Sequence, residues 1–419
     1  MRKIIIKRFY CLVLIFTFNV AIIVSCSLQL QTGVIVMVKA SFKQLSDVSL
    51  HIENLLKSQL VSGKESHEKE LNDFTAREVA DLIGINHTRI YQLEQEGKLP
   101  TPRTKMKGSV STRIYSLEEV EFIRKYMRLM PPKIVEHRAA VLTYGNLKGG
   151  VGKSTNSVHT AQFFALQGYK VLFVDLDPQA TATSSFGYIP LQEIEIEDTI
   201  FNAIVKSPDQ IASAIRSTYW HNIDLIPACL ELHAADAMVY RSNSGIAPAL
   251  RVKAALEEVI DQYDIIVIDT PPSVNMLAIG ASLSADHLVI PVVANRPDVQ
   301  ATSQYFKTMS DMLSSVADEF ADANLNKSIL VSRFDANSGE QKNNLALLRR
   351  FYNGTVMEAV IHDTIEMERA ANDMQTVYEN KPRGSRDTYK RAIEMLNRAN
   401  QEILNNLIQS ARARAEIEA

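Results

Sequence analysis

A glycine-rich loop at residues 146–155 constrains the fold of this chain more than any other segment. Its sequence is Asn-Leu-Lys-Gly-Gly-Val-Gly-Lys-Ser-Thr, and it lies between an apolar run at 139–144 and a stretch with helical spacing after Lys153. Glycines allow backbone N–H groups to turn onto phosphate oxygens, and the start of a helix attracts anions. The order strand, glycine loop, Lys-Ser and helix therefore predicts a nucleotide-phosphate site.

Within this loop the residue types predict individual roles. We expect Lys153 to bridge the β- and γ-phosphates, Ser154 to ligate Mg²⁺ and Thr155 to reach the α-phosphate. The generic phosphate-loop pattern has a glycine where this chain has Leu147, and here Lys148 directly precedes the glycines. The residues predicted to bind the nucleotide are Lys148, Gly149, Gly150, Val151, Gly152, Lys153, Ser154 and Thr155.

Two further motifs fit the same site. The apolar run at 171–174 ends in Asp175-Leu176-Asp177-Pro178-Gln179, and the run at 265–268 ends in Asp269. We expect Asp269 to hold Mg²⁺ through water, because Mg²⁺ keeps much of its hydration shell in proteins. A single strand that ends in aspartate is common in α/β proteins, but two such strands together with the glycine loop, in this order, indicate one nucleotide and Mg²⁺ site.

The loop with its extra lysine resembles the deviant Walker A motif of the ParA/MinD ATPase family. That resemblance implies that Lys148 reaches the nucleotide of a partner chain, so that a homodimer sandwiches two ATP molecules. It also implies that Asp177 orients the attacking water and that Asp175 supports the Mg²⁺ shell. The implied cofactors are ATP and Mg²⁺; the catalytic residues are Lys148, Lys153 and Asp177, and the metal residues are Ser154, Asp175 and Asp269.

Continuous apolar runs alternate with helical segments after residue 138. Such runs are typical of a parallel sheet that is covered on both faces. We therefore predict an α/β ATPase domain at 138–419, with a mostly parallel sheet of about seven strands covered by helices. The predicted strands are 139–144, 171–174, 223–226, 265–268, 287–291, 329–332 and 356–361.

Residues 71–130 have the pattern of a small winged helix-turn-helix domain. A capping box at 75–78 begins one helix, Gly84 ends it, and Asn86 can cap a second helix. The basic segment at 97–117 contains no acidic residue and suits a wing. A small helical bundle with a solvated basic loop is the alternative. The residues predicted to contact DNA in this domain are Thr88, Arg89, Gln92, Lys105 and Lys107.

The first 70 residues divide into two segments. Residues 1–38 form a basic and then apolar leader, which would export the protein, anchor it, or result from a start codon assigned upstream of Met37. Residues 39–70 contain a predicted amphipathic helix at 44–60, for packing or dimerisation, and a linker. The net charge of −3 excludes a uniformly basic nucleic-acid coat, and the three cysteines have no disulfide or zinc spacing.

A helix-turn-helix module before the ATPase is typical of one branch of the family, the plasmid partition ATPases of SopA type. The resemblance implies a cytoplasmic protein that binds nucleoid DNA non-specifically, in part through Arg369, and that represses its own operon by binding operator DNA. It also implies a ParB/SopB-type centromere-binding partner and no membrane. The alternatives are a MinD-like membrane-associated ATPase, which would need a C-terminal amphipathic membrane helix, and a tyrosine autokinase, which would need a C-terminal tyrosine cluster.

Overall fold

The computed structural model describes residues 69–107, 109–242, 244–315, 325–380 and 384–418. These residues belong to one compact unit. The predicted leader at 1–38 and the predicted helix at 44–60 lie outside the described residues. Within the described ranges, no helix is both long enough and apolar enough to cross a membrane.

The N-terminal elements have the predicted order of helix, turn, helix and hairpin. Thr75 caps the first helix in a capping box with Glu78, Gly84 ends it with a φ of 74°, and Asn86 caps the second helix. A small antiparallel sheet has the order β1-β3-β2. The elements are β1 (Phe74–Thr75), α1 (Ala76–Ile83), α2 (His87–Gln95), β2 (Arg103–Lys107), β3 (Val110–Tyr115) and α3 (Leu117–Met127).

A larger sheet forms the centre of the protein. Its strand order is β11-β10-β9-β4-β8-β5-β7-β6, and every pair is parallel except β6 with β7. The seven predicted strands are present, and the eighth is a two-residue strand at the edge that is too short to predict from its pattern. The strands are β4 (Ala140–Tyr144), β5 (Val171–Asp175), β6 (Arg216–Ser217), β7 (Ile223–Ile226), β8 (Ile265–Asp269), β9 (His287–Val292), β10 (Asn326–Phe334) and β11 (Val356–His362).

Helices cover both faces of this sheet, as the continuous apolar strands predict. Strands β4, β5, β8 and β9 are buried along their whole length. The helices are α4 (Lys153–Gln167), α5 (Thr181–Ser185), α6 (Pro190–Glu193), α7 (Phe201–Val205), α8 (Ile211–Ala214), α9 (Ala235–Arg241), α10 (Arg251–Glu257), α11 (Met276–Ser284), α12 (Arg296–Ser315), α13 (Gly339–Phe351), α14 (Ile365–Asn372) and α15 (Arg386–Glu418).

The N-terminal elements and the ATPase domain share one hydrophobic core. Ile90 of α2 belongs to the same buried cluster as Phe164 of α4 and Leu396 of α15. The buried Arg124 of α3 donates hydrogen bonds to the carbonyls of Leu82, 2.7 Å away, and Leu166, 2.6 Å away. Arg124 therefore joins the ends of α1 and α4, and the packing is continuous across the predicted boundary between residues 130 and 138.

Candidate nucleotide-binding site

The phosphate loop connects the end of β4 to the start of α4. Gly150 and Gly152 have φ values of 76° and 88°, a left-handed conformation that glycine adopts without a steric penalty. A Cβ atom on Gly152 would also lie 3.1 Å from Nδ2 of Asn156. These two positions explain why the loop needs glycine and why its backbone can turn inward on an anion.

Asn146 fixes the first turn of the loop. Its buried side chain donates from Nδ2 to the carbonyl of Pro291 at 2.7 Å, and its Oδ1 accepts from the backbone N–H of Lys148 at 3.1 Å. One side chain thus ties the loop to β9 and sets the path of the chain into the glycines. Sequence reasoning gave Asn146 no role, although its place directly after the first strand was a signal.

Lys153 begins α4 and is 6% exposed. Its Nζ donates to the carbonyl of Lys148 at 3.3 Å, so the side chain reaches back across the loop. Burial lowers the pKa of Lys153, while the carboxylates of Asp269 and Asp177 act in the opposite direction. A buried ammonium group in this position favours the arrival of a phosphate anion.

Asp269 ends β8 and is fully buried, and neither of its carboxylate oxygens accepts a hydrogen bond of regular geometry from a described residue. Burial raises its pKa well above the ordinary value, and the neighbouring Asp175 adds to the rise, while Ser154 and Lys153 act against it. A buried carboxylate without partners is unfavourable unless a cation or a proton satisfies it. The pair Asp269 and Ser154 therefore fits a magnesium ion, because both supply oxygen atoms.

Asp175 lies beside Asp269 in the register of β5 and β8. Its Oδ1 accepts from the N–H of Asp177 at 3.1 Å, and its Oδ2 accepts from the N–H and the hydroxyl of Thr183 at 2.9 and 2.7 Å. Burial raises the pKa of Asp175 to about 7, with these hydrogen bonds opposing the rise. Both oxygens are thus used to hold the segment after β5, and any support of a metal shell would act through that segment.

Asp177 lies in the segment that Asp175 holds. It is 7% exposed, and its Oδ1 accepts from the N–H of Gln179 at 3.0 Å. The Thr183 hydroxyl also accepts from the N–H of Ala228 at 2.9 Å, which ties the segment to the chain after β7. Asp177 therefore has a defined orientation at the same edge of the sheet as Lys153 and Asp269.

Lys148 and Thr155 differ from the buried members of the site. Half of the Lys148 side chain is exposed, and its Nζ lies 3.9 Å from Oδ1 of Asp298. Thr155 is exposed in the first turn of α4, and its carbonyl lies 2.7 Å from Nδ1 of the buried His159. The exposure leaves both side chains accessible to a ligand or to a second chain.

Three of the residues predicted to contact DNA lie on the exposed face of α2. Arg89 donates to Oε1 of Gln92 at 3.4 Å and lies 3.7 Å from a carboxylate oxygen of Glu96. The hydroxyl of Thr88 donates to the side chain of Asn86 at 2.9 Å. Arg89, Gln92 and Thr88 therefore share one surface, and their role in DNA binding stays a prediction.

The hairpin β2–β3 carries less free positive charge than its sequence indicates. Two basic residues of the hairpin, and Lys98 shortly before it, form ion pairs with acidic residues from outside the segment 97–117. Lys105 is exposed, whereas the side chain of Lys107 lies outside the described part. The pairs are Lys98 with Glu96 (2.6 Å), Arg103 with Asp73 (2.6 Å) and Arg113 with Glu94 (2.8 Å).

Arg369 lies on α14, on the ATPase part of the molecule. Its Nη1 donates to Oε1 of the buried Glu366 at 2.9 Å, and about two fifths of its side chain is exposed. Glu366 thus holds the guanidinium group in place without covering it. Two of the basic residues near it in sequence, Lys381 and Arg383, lie outside the described ranges.

Comparisons with known proteins identify the family of this chain. Residues 139–322 match the family model described as an AAA domain. The chain is 30% identical to SopA of Escherichia coli K12 over 79% of its own length and 87% of SopA. The chain belongs to the ParA/SopA family of partition ATPases. The family's sporulation initiation inhibitor protein Soj of Bacillus subtilis is 29% identical, over 58% of this chain and 93% of Soj.

Structural similarity to a solved protein covers nearly the whole chain. A solved structure described as a partition protein superposes with a TM-score of 0.62 at 18% identity, covering 88% of this chain and 98% of that one. At this identity the likeness concerns the fold alone. The ParA/SopA fold thus brings Lys153, Asp177 and Asp269 to one edge of the sheet, as the motifs predict, and leaves Arg89 and Arg369 on other elements.

Proposed function

We propose that this protein binds ATP with Mg²⁺, hydrolyses the ATP to ADP and phosphate, and uses this cycle to partition DNA. The observation that carries the proposal is Asp269, a fully buried carboxylate that accepts no hydrogen bond of regular geometry from the described residues and lies beside Ser154 and Lys153. A site with these two charged groups gains stability when a metal ion and a phosphate bind together, because the metal ion compensates the carboxylate and the phosphate compensates the ammonium group.

The phosphate loop and the strand ends divide the binding between them. The loop N–H groups and Lys153 bind the phosphates, and Ser154 and Asp269 hold the magnesium ion, with Asp175 holding the neighbouring segment. When bound, Mg²⁺ neutralises charge on the phosphate oxygens. Thr155 is exposed in the first turn of α4, where it can reach the α-phosphate.

Asp177 orients the water that attacks the terminal phosphate. Its buried position and its bond from the N–H of Gln179 fix the carboxylate before any nucleotide binds. Positioning of this kind supplies much of the catalysis in phosphoryl transfer. Asp175 contributes indirectly, because it holds the N–H of Asp177.

ATP binding joins two copies of the chain, and Lys148 of each copy acts on the other's nucleotide. Two observations support this proposal. Lys148 is half exposed beside the loop. Three large apolar side chains are also exposed after the carboxyl end of β7, as expected for a surface that a second copy covers. They are Leu230 (50%), Met238 (44%) and Tyr240 (61%).

The ATP-bound dimer binds nucleoid DNA in the cytoplasm without sequence preference, with Arg369 among the contacts. A ParB/SopB-type centromere-binding partner stimulates hydrolysis and so releases the dimer from the DNA. Separately, Arg89 and Gln92 on α2, with Lys105 and Lys107 on the hairpin, bind the operator for autorepression. The exposed position of the α2 residues supports this second surface.

Two lysine substitutions test the site. Lys153→Ala should abolish ATP binding in a calorimetric titration and abolish plasmid maintenance, because it removes the buried ammonium from the phosphates. Lys148→Gln should still bind ATP but form no ATP-dependent dimer in light scattering and hydrolyse no ATP. Near-normal ATP affinity of Lys153→Ala, or an intact nucleotide-dependent dimer of Lys148→Gln, would contradict the assigned roles.

A further inference from the structure

Two consecutive residues at the end of β10 bind two consecutive carbonyls of the phosphate loop. The hydroxyl of Ser332 donates to the carbonyl of Val151 at 2.6 Å, and Nη1 of Arg333 donates to the carbonyl of Gly150 at 3.2 Å. Ser332 is buried, whereas Arg333 is exposed. When these carbonyls are held, the orientation of the peptide groups between Gly150 and Gly152 is fixed as well, because each peptide unit is planar.

The backbone of β10 is distorted at this point. Successive residues of a regular strand point to opposite faces of the sheet, so Ser332 and Arg333 would not reach the same loop. The register against β11 is irregular between Val331 and Phe334, and Arg333 has a φ of 50°. A bulge of this kind redirects side chains, and a left-handed arginine persists only where its surroundings hold it.

We propose that Ser332 and Arg333 are positioning residues that keep the phosphate loop in its anion-binding conformation before a nucleotide arrives. This inference rests on the proposed nucleotide binding and names two residues that no motif of the site contains. In a loop that is already ordered, less conformational entropy is lost on binding, so the affinity for the nucleotide is higher. The strained backbone of Arg333 indicates that the contact with the loop is maintained at the expense of local stability.

Two variants separate the contact from the strain. Arg333→Gly removes the guanidinium group and relieves the left-handed conformation at the same time, so the fold should be at least as stable as the native one. Ser332→Ala removes the other donor. Arg128→Gly is the matched control, because Arg128 is also an exposed arginine with a φ of 59° and caps the C-terminus of α3, outside the phosphate loop.

Calorimetric titration of the full chain with ATP and Mg²⁺ should show a roughly tenfold weaker affinity for Arg333→Gly and for Ser332→Ala, the size expected when one hydrogen bond of a positioned loop is lost. Hydrogen exchange of residues 146–152 without nucleotide should be faster in both variants. Arg128→Gly should match the native protein in both measurements.

The other outcomes distinguish failure of the inference from failure of the proposed function. Native exchange of the loop together with weaker ATP affinity would mean that Arg333 contacts the nucleotide itself and does not position the loop. Native values in both measurements would mean that the two hydrogen bonds have no function in binding. Failure of the native protein to bind ATP would overturn the proposed function, while faster exchange in the variants would still show that the pair holds the loop.

Discussion

The ammonium group of Lys148 lies 3.9 Å from Oδ1 of Asp298, a buried residue in the first turn of α12. That oxygen accepts no hydrogen bond from the described residues, and the Lys148 ammonium group faces it as an ion pair that is too long for a hydrogen bond. A lysine that acts on a second chain must leave this contact when two copies meet. The ion pair within one chain therefore competes with the proposed contact between chains.

Asp298→Asn should make the ATP-dependent dimer form more readily. The change keeps the shape of the side chain but removes the charge that holds Lys148. A partly exposed ion pair contributes at most about 1 kcal/mol, so the dissociation constant of the dimer should fall by up to about fivefold per released lysine. Sedimentation velocity across a protein dilution series with ATP measures the constant. Asp311→Asn, on the exposed side of the same helix, is the control, and an unchanged or higher constant for Asp298→Asn would contradict the competition.

The pKa of Asp175 predicts a pH dependence of stability in the absence of nucleotide. Burial raises that pKa to about 7 from an ordinary value of 3.8. The folded chain therefore binds more protons than the unfolded chain between those two values. The contribution of Asp175 to the free energy of unfolding must then fall as the pH rises through this window.

Asp175→Asn should reduce this dependence, because the amide does not titrate. Urea denaturation at about pH 5 and about pH 7.5 should show a larger loss of stability with rising pH for the native chain than for the variant. The difference between the two chains removes the contribution of acidic groups that Asp175 does not influence, and it includes the part of the Asp269 shift that Asp175 causes. Equal pH dependence in both chains would mean that Asp175 is ionised throughout the window.

Two substitutions should separate the proposed DNA surfaces. Arg89 lies on α2 and Arg369 on α14, and each guanidinium group is partly exposed beside a carboxylate. A base contact weakens binding to one sequence, typically by ~1–3 kcal/mol, whereas a phosphate contact weakens all sequences alike. Arg89→Ala should lose operator binding and autorepression but keep ATP-dependent binding to random DNA. Arg369→Ala should show the reverse and should stop segregation.

Gel-shift titrations at one fixed salt concentration compare the two surfaces, since non-specific affinity depends steeply on ionic strength. Lys253→Ala is a control for the loss of one positive charge, because Lys253 lies on α10 in an exposed pair with Glu257. If Arg89→Ala and Arg369→Ala each weaken binding to operator DNA and to random DNA equally, a single surface binds both kinds of DNA.

Local pattern made the sheet and the centre of the site predictable from the sequence. The apolar runs that predict strands are continuous and lead into the residues predicted to carry the chemistry, and the ends of β4, β5 and β8 bring Lys153, Asp177 and Asp269 to one edge of the sheet. The same reasoning missed β6, because two residues at a sheet edge have no periodicity. It also separated the N-terminal elements from the ATPase, whereas Arg124 bonds to carbonyls on both sides of that boundary.

Contacts between distant segments were not predictable. The segment 97–117 contains no acidic residue, yet Arg103 and Arg113 pair with Asp73 and Glu94 from outside it. In the same way Asp298 meets Lys148, and Arg333 meets the phosphate loop, only because the parallel sheet places β9 beside β4 and β10 beside β9. Sequence spacing carries no information on such pairs without the topology of the sheet.

The central claim is that ATP binding places this protein on DNA and that hydrolysis, with its water held by Asp177, removes it. Phosphate release and retention on random DNA, measured in the same sample of Asp177→Ala with ATP and Mg²⁺, test this most directly. The account predicts that the variant binds ATP, dimerises and stays on the DNA, while phosphate release falls to background. Phosphate release at the rate of the native protein, or a variant that leaves the DNA as quickly as the native protein, would contradict it.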